Sequence, residues 1–147
     1  MRVHGLGHVV LKVRSLARSV PFYRDVLGLK KVGQLEDKMV FFSVLDNHHD
    51  VALLEVGEDA PDAPDTSPGL AHVAFKVGDS LAELQEAKDW LVEHGVQPER
   101  LRDHLVSQSV YFRDPDGHQI EVFVDGDPAV WHANPQTVAT SNVLRLQ

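Results

Sequence analysis

Two histidines and two glutamates recur at matching places in the two halves of the chain. His8 and His72 each open the motif His-Val-x-x-Lys-Val, while Glu55 and Glu121 each follow near the end of the same half. Imidazole and carboxylate groups together suit divalent iron, manganese, zinc, cobalt or nickel. Because the chain has no cysteine, such a metal would be held by histidine, carboxylates or water. The pattern predicts a metal site, either with one carboxylate and open positions or with both carboxylates bound.

A histidine or glutamate that stands alone in a strand most often lies on a solvated face. Gene duplication by itself would also preserve four such positions without any function. The repetition of all four at similar separations nevertheless favours the metal site over these two simpler interpretations.

The elements that must position these residues are also repeated. Residues 7–29 and 71–96 each predict a strand followed by an amphipathic helix that is closed by a glycine. Three strands are predicted after each helix, at 30–35, 38–46 and 50–56 and at 100–105, 107–113 and 118–125. The chain is therefore predicted to be an α+β protein with paired βαβββ modules. Module one covers about 4–57, a Pro-rich acidic linker covers 58–69, module two covers about 70–125, and a C-terminal tail covers 126–147.

Strand alternation predicts which side chains share a face. It places His72 and Glu121 on the face of the second sheet that points away from its helix, and we expect the same of His8 and Glu55 in the first. Tyr111 shares the face of Glu121 only if the loop between their strands has an odd number of residues. A bulged or five-residue connection is therefore predicted around Asp114–Gly117.

Composition narrows the choice of partners. A net charge of −8 argues against nucleic acid as the main partner. No apolar run reaches the ~20 residues of a membrane span, and the first residues lack the layout of a signal peptide, so we expect a cytoplasmic protein without a membrane partner. The open sheet edges predict a homodimer or a higher homo-oligomer.

The paired modules and the stretch "DPDGHQIEVF" resemble the vicinal oxygen chelate superfamily, which contains glyoxalases, bleomycin resistance proteins and dioxygenases. The resemblance covers about residues 4–125 and implies two modules that form a curved open barrel around a metal. His104, Val110, Tyr111, "DPDG" and Glu121 are similar to the signature of the type I extradiol ring-cleavage dioxygenases. A His-His pair in "DNHHDVALLE" and the tail "DPAVWHANPQTVAT" also resemble that group.

The resemblance implies roles for individual residues. His8, His72 and Glu121 would hold Fe(II), with Mn(II), Ni(II), Co(II) or Zn(II) as alternatives. His49 would be the acid and base, and His104 and Tyr111 would donate hydrogen bonds to a catechol, a small aromatic diol that is cleaved with O₂.

Glu55 keeps two other functions open. Glyoxalase I has a metal-binding carboxylate at a similar position, and with Glu55 bound the protein would be a lyase or isomerase that acts through a metal-bound enediolate. Some relatives only bind an aromatic compound or an antibiotic in a metal-free cleft. The three residues His49, His104 and Tyr111 favour the dioxygenase.

Overall fold

The first unit of the protein is a four-stranded sheet with one broken helix. The computed structural model describes residues 1–147, and the chain divides into the units Met1–Ser67 and Pro68–Gln147. The sheet has the order β1-β4-β3-β2, in which β1 and β4 are parallel and the other pairs are antiparallel. The elements of this unit are β1 (Val9–Val13), α1 (Leu16–Pro21), a π-helical turn (Phe22–Val26), β2 (Lys30–Leu35), β3 (Met39–Ser43) and β4 (Val51–Glu55).

The helix changes type at Pro21. Proline has no N–H to give to the preceding turn, and here α1 ends and a π-helical turn begins. The segment then stops at Gly28, whose φ of 70° is a conformation that favours glycine. Tyr23 is fully buried in this turn, where its ring contacts those of Phe22 and Phe42.

The second unit repeats this topology and extends it. Its sheet has the order β5-β8-β7-β6-β9, so the first four strands match β1-β4-β3-β2 in both order and direction. The fifth strand, β9, comes from the C-terminal tail and pairs with β6. The elements are β5 (Val73–Gly78), α2 (Leu81–Glu93), β6 (Arg100–Asp103), β7 (Ser107–Arg113), β8 (Gln119–Asp125), α3 (Pro128–Ala133), a 3₁₀ turn (Pro135–Ala139) and β9 (Asn142–Val143).

The start of α2 follows from its capping residues. Ser80 accepts a hydrogen bond from the N–H of Glu83, and the Glu83 carboxylate accepts one from the N–H of Asp79. This is a capping box with its second bond moved by one residue. The buried Leu84 and Leu91 lie on the helix, and Ile120 and Val122 are buried in β8, which α2 contacts.

The α+β class and the paired βαβββ modules are confirmed. The closure of the two modules into a curved barrel around a metal stays a prediction. None of the helices is long and apolar enough to cross a membrane.

The hairpin between β7 and β8 has the predicted five-residue connection, residues 114–118. Asp114 organises it, because its Oδ1 accepts hydrogen bonds from the N–H groups of Asp116 (2.9 Å) and His118 (2.8 Å). Gly117 has a φ of 89°, which few other residues would adopt. The odd loop length sets the register in which Tyr111 lies directly opposite Glu121.

Candidate active site

Glu121 is a buried carboxylate in the middle of β8, with 6% of its surface exposed. Its Oε2 lies 2.9 Å from Nε2 of His72, and its Oε1 accepts a hydrogen bond of 2.5 Å from the hydroxyl of Ser109. A buried charge is costly unless it is paired and hydrogen-bonded. Both oxygens of Glu121 have polar partners, which stabilise the carboxylate between the apolar neighbours Ile120 and Val122.

Tyr111 lies beside this pair on the same face of the sheet. Its ring meets the ring of His72 edge-on with centroids 5.7 Å apart, and the guanidinium of Arg100 lies 4.4 Å above its centroid. Burial, followed by the negative charge of Glu121, raises the pKa of Tyr111 to about 12. The phenol stays protonated at neutral pH, so that it acts as a hydrogen-bond donor.

His104 precedes β7 and is held through both ring nitrogens. Its Nε2 lies 3.0 Å from the hydroxyl oxygen of Tyr111, and its Nδ1 lies 2.6 Å from the main-chain oxygen of Thr140 in the C-terminal tail. The structure thus brings His72, Glu121, Tyr111 and His104 together in the second unit.

The first unit brings together the other predicted residues. The ring centroids of His8 and His49 are 4.2 Å apart, and Nδ1 of His48 lies 2.6 Å from Nδ1 of His49. Phe41 meets His49 edge-on at 5.4 Å. Loss of water around the ring, followed by repulsion from His8 and His48, lowers the pKa of His49. The neutral form that can accept a proton is therefore favoured.

The loop that carries these histidines is fixed by Asp50. Its Oδ2 accepts a hydrogen bond of 2.8 Å from the N–H of Val44, and its Oδ1 accepts one of 2.9 Å from the side-chain amide of Asn47. These two bonds, with that from Asn47 as the larger cause, lower the pKa of Asp50. The ionised carboxylate therefore stabilises the conformation of this loop at neutral pH.

Glu55 lies on the other side of its sheet, and the prediction that it shares the face of His8 is wrong. It pairs with Val13, a fully buried residue of the helix-facing side, and its Oε2 accepts a hydrogen bond of 2.7 Å from the N–H of Leu16. The carboxylate thereby satisfies a donor at the first residue of α1. In the second unit, Glu121 pairs with Ala74 of β5. The equivalent pair in the first unit is Ala52 with Val10, so Ala52 and not Glu55 occupies the position that matches Glu121.

The His72–Glu121 pair fits two ligands of one metal ion. Two donor atoms bound about 2.1 Å from an ion and at right angles to each other lie about 3 Å apart, close to the 2.9 Å between Nε2 and Oε2. The hydroxyl of Ser109, which donates a hydrogen bond to the other oxygen of Glu121, would orient this carboxylate ligand. No group of three or more His, Asp or Glu side chains in the structure is placed to hold a metal, so His8 as the third ligand stays a prediction.

Comparison with known proteins identifies the family. The model of the Glyoxalase/Bleomycin resistance protein/Dioxygenase superfamily matches residues 5–122. The chain belongs to this superfamily.

Members of the superfamily with different activities are similar to the chain. It is 35% identical to biphenyl-2,3-diol 1,2-dioxygenase 3 of Rhodococcus globerulus over 82% of its own length and 63% of that protein. It is 33% identical to catechol-2,3-dioxygenase of Bacillus subtilis over 86% of its length and 43% of that protein. It is 29% identical to the metallothiol transferase FosB of Staphylococcus haemolyticus over 82% of its length and 83% of that protein. The chain thus spans less than two thirds of these two dioxygenases.

Solved structures agree with the superfamily fold. The crystal structure of lactoylglutathione lyase from Agrobacterium tumefaciens superposes with a TM-score of 0.67, at 27% identity, over 88% of the chain and 98% of that protein.

The sequence analysis did not predict two contacts of the candidate site. Ser109 lies two residues before Tyr111, so strand alternation would have placed it on the same face. Thr140 acts through its main-chain oxygen, which every residue has, and no sequence signal marks it.

Proposed function

We propose that the protein is an extradiol-type dioxygenase, which cleaves a catecholic ring with O₂ and uses Fe(II). The observation that carries the proposal is the hydrogen-bonded pair of His104 and Tyr111 beside the His72–Glu121 pair. A phenol that stays protonated next to a ligand pair is a donor for a charged substrate oxygen. The similarity to two dioxygenases supports the same choice.

The ligands in this proposal are His8, His72 and Glu121. Two imidazoles and one carboxylate on one side of an iron leave positions open. A divalent ion held by these residues would supply a positive charge that lowers the pKa of the catechol hydroxyls. Mn(II), Co(II), Ni(II) and Zn(II) suit the same donors, so the metal itself must be tested.

The chain's own residues would handle the protons. With its hydrogen on Nδ1 and donated to Nδ1 of His48, His49 would have Nε2 free to take a proton from a catechol hydroxyl. Its lowered pKa keeps the ring neutral before that step. The single hydroxyl hydrogen of Tyr111, held by Nε2 of His104 in the structure, would turn to a substrate oxygen when the substrate binds.

Glu55 supports the dioxygenase over the glyoxalase-like lyase. A second carboxylate ligand would be needed for the two-His, two-Glu set, but Glu55 lies on the helix-facing side and caps α1. The matching position on the other face is held by Ala52, which has no donor atom.

A metal-dependent thiol transfer is the second candidate. One specific observation favours it, since the chain spans 83% of FosB but only 63% and 43% of the two dioxygenases. A metal-free binding protein is the third, and the presence of the His72–Glu121 ligand pair, which such a protein would not need, counts against it.

The test is a set of parallel assays. The protein is reconstituted with Fe(II) without oxygen and then mixed with a panel of catechols in air, and we expect O₂ uptake with a yellow ring-opened product. The hemithioacetal of methylglyoxal and glutathione is run with Ni(II) or Zn(II), and fosfomycin with a thiol is run with Mn(II). Turnover only in one of the latter two assays would replace the proposal by a lyase or a transferase. The absence of bound metal after reconstitution would favour the binding protein.

A further inference from the structure

The ring of His104 is fixed by two partners of different chemistry. Nε2 faces the hydroxyl of Tyr111 at 3.0 Å, and Nδ1 faces the main-chain oxygen of Thr140 at 2.6 Å. The first partner lies in the predicted site, while the second lies in the C-terminal tail, beyond the residues 5–122 that match the superfamily.

These partners determine where the ring hydrogen sits. A carbonyl oxygen only accepts hydrogen bonds, so Nδ1 of His104 must carry the hydrogen that it donates to Thr140. In a neutral imidazole Nε2 is then the acceptor, and the hydroxyl of Tyr111 donates to it. Without Thr140, either nitrogen would be free to carry the hydrogen, and with the hydrogen on Nε2 the bond to Tyr111 would reverse.

The tail is anchored on both sides of its contact with His104. Asn142 and Val143 pair with Asp103 and Arg102 as strand β9, directly after Thr140. Further along, the N–H of Leu144 donates to the oxygen of Leu101 at 3.3 Å. At the last residue, the ammonium of Lys88 donates to the main-chain oxygen of Gln147 at 2.8 Å. On the other side, the N–H of Thr140 donates a hydrogen bond of 2.9 Å to the main-chain oxygen of Thr137 in the preceding 3₁₀ turn.

The main chain of His104 is held separately from its ring. Its N–H donates to the oxygen of Ser107 at 2.9 Å, and Leu105 has a φ of 66°, which is a strained conformation for leucine. The carboxylate of Asp103 accepts a bond of 2.8 Å from the N–H of Leu105 and stabilises this turn. The turn therefore places the ring, and the tail selects its hydrogen-bonding state.

We propose that Thr140 is a positioning residue, and that the C-terminal tail holds His104 with its hydrogen on Nδ1 so that Nε2 accepts the hydroxyl of Tyr111. The role of this arrangement in ring cleavage rests on the proposed function, whereas the position of the hydrogen does not.

The test reads the tautomer directly. The ring nitrogens of the full-length chain are labelled with ¹⁵N and assigned to His104 by the loss of signals in His104→Asn. We expect a single neutral tautomer with the hydrogen on Nδ1. Asn142→Pro removes an N–H from β9 and should release the tail, which is checked by faster exchange of the Leu144 amide hydrogen. The released tail should give a mixture of tautomers, or the one with the hydrogen on Nε2.

A matched control is Thr140→Val, which removes the hydroxyl and keeps the main-chain oxygen. We expect it to leave the His104 signals unchanged. If Asn142→Pro does not release the tail, N142P/K88A removes the bond from Lys88 to Gln147 as well and keeps the Leu144 amide as the readout. If either proline variant does not fold, Asn142→Gly serves as the milder change.

Two outcomes would overturn the proposal. One is a wild-type His104 with its hydrogen on Nε2, and the other is an unchanged Nδ1 tautomer after the Leu144 amide has lost its protection. In catechol turnover, the released tail should lower kcat at least about 10-fold with the same metal content, since misoriented imidazoles cost at least this much. If no catechol is cleaved by the wild type, the proposed function fails, while the NMR result still decides the role of the tail.

Discussion

Tyr111 and Glu121 are direct partners in the ladder between β7 and β8, so their side chains stand next to each other on one face of the sheet. One is a phenol whose pKa is raised to about 12, and the other is a buried carboxylate bound by His72 and Ser109. A hydrogen-bond donor and a metal-ligand candidate are thus held at a fixed separation by backbone pairing alone.

Tyr111→Phe should remove the donor without disturbing the ligand pair. We expect a loss of about 10²- to 10³-fold in kcat/KM for catechol cleavage, the range for one lost donor at a developing charge, with unchanged metal content. Steady-state O₂ uptake measures the first quantity and elemental analysis the second. Tyr23→Phe, in the core of the first unit, is the control and should keep full turnover. Equal losses in both variants would mean that a buried hydroxyl matters only for folding.

Ser109→Ala should weaken metal binding. The hydroxyl of Ser109 donates to Oε1 of Glu121, and loss of such a partner of a ligand typically costs about 10- to 100-fold in metal affinity. Competition with a coloured chelator measures the dissociation constant. Ser107→Ala changes the same residue type earlier in β7 and should leave the affinity as it is. An unchanged metal affinity in Ser109→Ala would argue that Glu121 is not a metal ligand.

Glu55→Ala should cost stability and spare the metal. It removes the acceptor of the Leu16 N–H, for which a loss of about 1 kcal/mol in the free energy of unfolding is typical. Glu55→Gln keeps an acceptor oxygen and should cost less. Glu58→Gln, which changes an exposed ion pair with Arg18, is the control for a change of charge nearby. A fall in metal content in Glu55→Gln would reinstate Glu55 as a fourth ligand and with it the lyase.

In the proposed function His49 is the base and not a ligand, so His49→Ala should lose most ring cleavage and retain the metal. The loss expected for one acid–base group is about 10²- to 10⁴-fold. Turnover that survives in His49→Ala would place the base elsewhere, with His48 next to be replaced.

Asp50→Ala should loosen the loop that carries His48 and His49. We expect lower kcat than in the wild type, a smaller loss than in His49→Ala, and faster amide exchange in residues 44–50. Asp46→Ala, in the same loop but without these bonds, is the matched control.

The pKa of Asp50 gives this prediction a pH dependence. Since the pKa is lowered in the folded protein, the stabilisation is fully present above the ordinary value for aspartate. It is lost as the pH falls through the lowered value. The wild type and Asp50→Ala should therefore converge in stability at acid pH, which denaturant titrations at several pH values would measure. A constant difference at all pH values would contradict the role of the charge.

Three features could be predicted from the residues alone: the repeated βαβββ topology, the odd hairpin loop and the shared face of Tyr111 and Glu121. In β8, Gln119, Glu121 and Asp125 lie at alternating positions between apolar residues, so local periodicity determines which side chains point the same way. The loop residues Asp114 and Gly117 then set the register of the hairpin through short-range bonds. These features depend on residues that are neighbours in the chain.

The role of Glu55 and the contact of Thr140 could not be predicted without the tertiary structure. Strand β4 is apolar on both faces, "VALL" before Glu55, so alternation cannot tell which face holds the carboxylate. The pairing of Glu55 with Val13 places the carboxylate on the helix-facing side, and that pairing joins β1 and β4, the first and last strands of the unit in the sequence. The main-chain oxygen of Thr140 carries no residue identity at all, and it reaches His104 only because β9 returns to the edge of β6. Contacts that depend on long-range pairing or on the backbone leave no pattern in the sequence.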